Sequence, residues 1–200
     1  MAAGRDLNQA FTHREYMFRR KFFRFFGGAF HTYDENGNLV FYTDQKRFRI
    51  REDFRIYSDE SKKTELLKIK TPQILDIWAT YTVMDSTTGE TVGQLRRKAL
   101  KSIIKDEWEI KTADGRSGTL TESSIIGALL SRWWNLIPQK YSILGPQGEV
   151  ATIKQHFNPI ILKYTLAISD AAQIDPRLLI AAGILLAAIE RRQEEILDES

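Results

Sequence analysis

Hydrophobic and polar positions along this chain fall into two regimes. From residue 14 to residue 168 they come as short runs, several alternating with period two, and from 178 to 189 they are unbroken. Period two predicts strands with one face buried and one face wet. Phe30 to Tyr33 and Leu39 to Thr43 flank Asn36-Gly37, a pair that tolerates the positive φ of a tight hairpin. Lys46 to Arg51 alternates, with Phe48 and Ile50 on one side and Arg47, Arg49 and Arg51 on the other. Phe54 to Tyr57 and Glu65 to Thr71 follow, around a polar loop at 58–63, and Thr80 to Met84 and Thr91 to Arg97 flank D-S-T-T-G-E. Lys101 to Lys111 and Gly118 to Thr121 flank A-D-G-R, Tyr141 to Leu144 and Val150 to Lys154 flank G-P-Q-G, and Pro159 to Ile168 ends the series. Tyr16 to Phe26 mixes Phe and Arg, and its aromatic content and the Gly27-Gly28 stop read as a strand. About a dozen short strands joined by turns predict an all-antiparallel barrel or sandwich.

Two segments break the period. Ser124 to Ile137 places Ile125, Ile126, Leu129, Leu130, Trp133 and Ile137 three and four apart before Pro138, which predicts an amphipathic helix over 124–137. Asp175 to Arg192 has helix punctuation, with Asp175 as N-cap and Pro176 at the first helical position, but no polar face from Leu178 to Ile189. Those residues span about 18 Å as a helix, against roughly 30 Å of bilayer hydrocarbon, so no transmembrane span is expected. A helix apolar all round needs apolar partners on every side. A sheet curled around it supplies them, and closure also removes exposed strand edges. The expected fold is therefore mainly β, a closed antiparallel barrel enclosing the C-terminal helix. Residues 1–13 have no periodic pattern and are expected to form a flexible tail, with 14–195 a single domain and 175–192 its central helix.

Composition narrows the chemistry. There is no cysteine, which removes disulfides, thiolate metal sites and a cysteine nucleophile, and the three histidines, His13, His31 and His156, show no metal-ligand spacing. Neither a metal nor a cofactor is expected. No secretory signal is visible, so the expected location is cytoplasmic, with peripheral membrane contact as an option. Net charge is +3 overall, but residues 1–26 alone carry +4, a local basicity suited to an anionic surface. No nucleic-acid recognition motif accompanies it, so nucleic acid is not an expected partner. Nor do a nucleophile with its base, a close carboxylate pair or a phosphate-cradling glycine loop stand out, and the protein is expected not to be an enzyme.

The run Tyr16 to Gly27 with its R-R-K-F-F core, the hairpin Tyr81 to Lys98, the K-S-I-I-K-D-E-W of Lys101 to Trp108 and the ending D-P-R-L-L-I-A-A-G-I-L-L-A-A-I-E-R-R-Q resemble the LURP-one-related and phospholipid scramblase group of the tubby C-terminal-like superfamily. The resemblance runs from Arg14 to Gln193 and implies a twelve-stranded antiparallel barrel threaded by the apolar helix. It also implies two activities to weigh, binding of phosphoinositide headgroups by basic side chains and calcium-dependent lipid movement, in a group many of whose members have no assigned activity. The acidic calcium-loop-like run that scramblase-type members carry before the last helix is reduced here to Asp170 and Asp175. Calcium takes six to eight oxygen ligands, so calcium-dependent scrambling is not expected.

Three basic groups are candidate lipid-binding sites: Arg19, Arg20, Lys21 and Arg24; Arg47, Arg49 and Arg51; and Arg96, Arg97, Lys98 and Lys101. Each near-surface cation contributes about 1 kcal/mol toward anionic phospholipid. The same side chains would equally serve to keep barrel strands soluble and unpaired at their edges. Trp133 and Trp134 are candidate membrane contacts, against the alternative that their helix caps the barrel mouth. The leading expectation is a non-enzymatic barrel binding anionic phospholipid or a protein partner at a membrane surface. The alternatives are a small-molecule binder or enzyme with a pocket between wall and helix, scramblase-like lipid movement with a degraded calcium motif, and a purely structural or regulatory interaction domain.

Overall fold

Alternating burial along nearly every strand sets the architecture. In the computed structural model the described residues are 8–21, 28–45, 53–71, 79–98, 107–123, 139–156, 161–171 and 173–198, with side chains not described at 20, 21, 28, 29, 44, 45, 161, 162 and 189–198. The strands are β1 (Glu15–Lys21), β2 (Gly28–Tyr33), β3 (Leu39–Gln45), β4 (Phe54–Tyr57), β5 (Glu65–Lys70), β6 (Thr80–Asp85), β7 (Thr91–Lys98), β8 (Glu107–Thr112), β9 (Ser117–Glu122), β10 (Lys140–Gly145), β11 (Gly148–His156) and β12 (Ile161–Ile168). Each pairs antiparallel with its sequence neighbours, and β1 pairs with β12 from Glu15↔Ala167 to Lys21↔Ile161, so the twelve-stranded barrel is closed.

The C-terminal helix Pro176–Asp198 is the barrel's core. Leu178, Leu179, Ile180, Ile184, Leu185 and Leu186 are all buried, against inward side chains such as Phe18, Phe41, Ile69, Leu95, Ile110, Ile143 and Leu166. Gly183 is where helix and wall come closest: a Cβ there would lie 2.7 Å from Phe18 Cε2 and 2.8 Å from its Cζ. Gly93 on β7 plays the reciprocal part, its missing Cβ making room for Leu178 Cδ1.

The helix is anchored where it enters. Arg177 is only 2% exposed, yet its guanidinium reaches Asp85 Oδ2 at 2.7 Å, Asp175 Oδ2 at 2.7 Å and Glu90 Oε1 at 3.0 Å. Burial works against its charge, but the hydrogen bonds and field of Asp175, with Asp85 and Glu90, outweigh it and raise its pKa. A buried charge is tolerated only when paired in this way.

Three expectations need adjustment. The flexible tail expected over 1–13 does not include residues 8–13: a 3-10 turn at Gln9–Phe11 buries Phe11, which stacks on Phe41 at 5.2 Å, while Tyr16 Oη donates to the Ala10 carbonyl at 3.0 Å. A single aromatic anchor produces no periodicity, which is why the pattern missed it. The helix continues to Asp198, beyond the expected 192, and β8 runs to Thr112, one residue past the expected 111, while the 101–106 part of that expected strand lies outside the described residues. The expected helix over 124–137 and strand over 46–51 also lie outside the described residues.

Candidate anion-binding face

The outward residues of the barrel wall differ sharply from one side to the other. On β4, β5, β7, β8 and the β8–β9 turn, most basic side chains have acidic partners, Lys70 on β5 being an exception. Arg55 meets Glu65 at 2.8 Å, Lys68 meets Asp53 at 3.3 Å and Lys98 meets Glu107 at 3.0 Å. Lys111 meets Glu109 at 3.6 Å and Arg116 meets Asp114 at 2.8 Å. On β10, β11, β12 and β1 the pattern reverses. Lys140 lies directly opposite Lys154, and Lys163 directly opposite Arg19. Among the described residues none of these four side chains has an ion pair or hydrogen bond. Arg19, Lys140 and Lys154 are exposed and Lys163 is half-buried.

Register explains the gathering. Strand alternation points Lys154 outward because Ile153 is buried, Lys163 outward because Tyr164 is buried, and Arg19 outward because Phe18 is buried. The cross-strand pairing then sets them in adjoining rows: Lys140, Lys154, Thr165 and Met17 in one, His156, Lys163, Arg19 and His31 in the next. Directly opposite like charges oppose folding. Two such pairs on one wall, with no carboxylate in an ion pair with them among the described residues, are a local rule broken in the way functional sites break them. Positive potential also registers on the neighbouring imidazole, since burial and then Lys163 and Lys154 hold the pKa of His156 below its ordinary value, with Glu15 opposing.

Beyond Arg19 the wall turns aromatic. His31 stands opposite Tyr42, which stands opposite Tyr57, and Lys62 Nζ lies 5.7 Å from the centre of the Tyr42 ring. His31 Nε2 is 2.6 Å from Glu60 Oε1, so its polar edge is already engaged.

The sequence candidates divide accordingly. Arg19 belongs to the cationic face. Arg20 and Lys21 lie in β1, but their side chains are not described, and Arg24, Arg47, Arg49, Arg51, Lys101, Trp133 and Trp134 lie outside the described residues. Arg96, Arg97 and Lys98 sit on β7, six strands from β1 in a ring of twelve and so on the opposite wall. There Arg96 faces Glu109 across the ladder, Arg97 faces Trp108, and Lys98 is paired with Glu107. Arg19 and the β7 group therefore cannot contact one flat surface together. Lys140, Lys154, Lys163 and His156 were missed because no run of charge marks them. Outward alternation was visible, but only strand register brings them side by side.

The residues left of the calcium-loop-like segment are otherwise occupied. Asp170 accepts from Gln173 Nε2 at 2.8 Å, and Asp175 holds Arg177 through both oxygens. Among the described residues no group of three or more His, Cys, Asp or Glu side chains is placed to hold a metal ion, and no helix is long and apolar enough to cross a membrane.

Comparison with known proteins places this arrangement. No significant match was found among curated proteins. The model of the LURP-one-related family matches residues 14–187, from the start of the barrel through the buried part of its central helix as far as Ala187. With that match across most of the chain, and a closed twelve-stranded barrel around one apolar helix, the protein belongs to the LURP-one-related family, in keeping with the resemblance to the tubby C-terminal-like superfamily.

Proposed function

We propose that this protein is a non-enzymatic, cytoplasmic barrel that binds anionic phospholipid headgroups at a membrane surface through the wall formed by β10, β11, β12 and β1. The observation that carries the reading is the set of four cations, Arg19, Lys140, Lys154 and Lys163, facing outward on adjacent strands without acidic partners among the described residues. Lysine and arginine near an anionic membrane each contribute about 1 kcal/mol, so four acting together suffice for reversible association. The tyrosines beside them suit a headgroup layer, where amphipathic rings gather. The small-molecule alternative gains no support where helix and wall meet, because Gly183 lies against Phe18 and Gly93 against Leu178.

Co-sedimentation with phosphatidylglycerol vesicles tests this. Binding is expected at low salt, with loss at high salt and none to phosphatidylcholine alone, since exposed charges are screened within about 10 Å at 0.1 M salt. Lys163→Gln should weaken association roughly fivefold, about 1 kcal/mol for one cation. Absence of binding at low salt would sink the proposal and leave an acidic protein partner as the occupant to seek.

A further inference from the structure

His156 stands in the cationic face but differs from its neighbours in being able to lose its charge near neutral pH. On its own strand Lys154 precedes it by two residues and so shares its outward side. From β12 Lys163 lies directly opposite, and Thr165 Oγ1 is 2.8 Å from Nε2. From β1 come Arg19, across from Lys163, and Glu15, the carboxylate that acts on the imidazole, while β10 contributes Lys140 opposite Lys154. Nδ1 makes no hydrogen bond with any described residue.

These contacts fix what protonation would do. In the free protein a proton on His156 adds a positive charge beside two lysines, and the imidazole resists it. A phosphate held by Lys154, Lys163 and Arg19 reverses the local field. The protonated ring can then keep Thr165 on one nitrogen and donate from the other to a phosphate oxygen. Because the two events share one site, each strengthens the other by the same factor. We propose that headgroup binding at this face is coupled to proton uptake by His156, so that membrane association tightens as pH falls through the imidazole range. The coupling rests on the headgroup-binding reading above and adds to it a regulation by pH.

The test is vesicle partitioning at constant ionic strength at about pH 8 and about pH 5.5, on either side of the imidazole range. Phosphatidylglycerol serves as the probe because its phosphodiester keeps one charge throughout, leaving any change to the protein. Wild-type association should rise about threefold to tenfold at the lower pH, equivalent to an upward pKa move of about half a unit to one unit in the complex. His156→Gln should abolish most of that rise. His31→Gln, which removes the other imidazole beside Arg19, should keep it, because His31 is held by Glu60. A rise that survives His156→Gln, or binding that does not change with pH, overturns the coupling while leaving the headgroup reading intact. No binding at either pH overturns both. Should His156→Gln not fold, NMR titration of His156 in the wild-type protein decides the matter. Its pKa should move up when phosphatidylglycerol vesicles are added, and an unmoved value overturns the proposal.

Discussion

At the scale of single residues, aspartate does more for this fold than its place in surface turns suggests. Asp34 Oδ1 accepts from the amides of Asn36 at 2.9 Å and Asn38 at 2.8 Å, and Asp59 Oδ1 from Ser61 at 2.7 Å. Asp85 Oδ1 takes Thr87 at 2.8 Å, and Asp114 Oδ1 takes Arg116 at 3.4 Å. Each satisfies an amide two residues on that the tight turn would leave bare. All four have lowered pKa values. Asp34 owes this first to Asn38, Asp59 to Ser61 and Asp114 to Arg116, whereas at Asp85 burial opposes and the bonds from Thr87 and Arg177 outweigh it. A carboxylate lowered in the folded state stabilises it above the unfolded value, about 3.9, and loses that contribution as pH falls toward the folded value. Thermal melting should therefore drop steeply below about pH 4. An Asp85→Asn variant should show a shallower drop from a lower starting point. Arg177→Met is the sharper test, because it strands Asp85 in the interior. Removing one partner of a buried pair costs about 3–5 kcal/mol, and chemical denaturation should read a loss of that size.

At the scale of elements, the central helix is not an accessory to the barrel. Its six large aliphatic side chains between Leu178 and Leu186 are fully buried, and each contributes about 1.5–3 kcal/mol. Together they match the whole net stability of a domain, about 5–15 kcal/mol. Gly183 then poses a conflict between propensity and packing. Alanine there gains about 1 kcal/mol of helix propensity, but its methyl meets the Phe18 ring, and overpacking costs about 1–3 kcal/mol. Gly183→Ala should be net destabilising, and Phe18→Leu in the same chain should recover part of the loss. If the alanine variant proves more stable than wild type, Phe18 is freer than its burial implies. Gly183→Glu leaves no such latitude, since an unpaired charge would sit inside the barrel, and soluble folded protein is not expected.

At the scale of the molecule, charge is sorted rather than merely present. The turn rim mixes Asp34, Glu35, Asp59, Glu60 and Asp114 with Lys62, Lys63 and Arg116, while the β10–β11–β12–β1 wall holds unpaired cations, and the net charge is only +3. Binding by net charge and binding by one wall make different predictions. Lys154 on β11 and Lys70 on β5 lie six strands apart in the ring of twelve, on opposite walls. Lys154→Glu and Lys70→Glu change the net charge equally. Lys154→Glu should weaken vesicle association about thirtyfold, from about 2 kcal/mol for one cation lost and one repulsion gained, and Lys70→Glu should change it less than twofold. Equal losses would mean that the face has no special role.

The sequence by itself determined the local structure: hairpins at Asn36-Gly37 and the later turns, the apolar helix, and through its lack of a polar side the need for an enclosing sheet. These were legible because period and turn chemistry act between near neighbours. It also named Arg19. It did not place Phe11, whose lone aromatic ring has no pattern, nor show Arg177 as a buried hub, since its partners Asp85 and Glu90 come from a distant hairpin. Only the tertiary structure decided which cations share a wall. Arg19 is far in sequence from Lys140, Lys154 and Lys163, which stand on three consecutive strands, and the antiparallel register with barrel closure brings all four together. The β7 group looks similar in composition, but the cross-strand partner Glu107 neutralises Lys98 and ring closure turns the strand to the far side. Charge can be counted along a chain, but its pairing depends on which strand lies alongside.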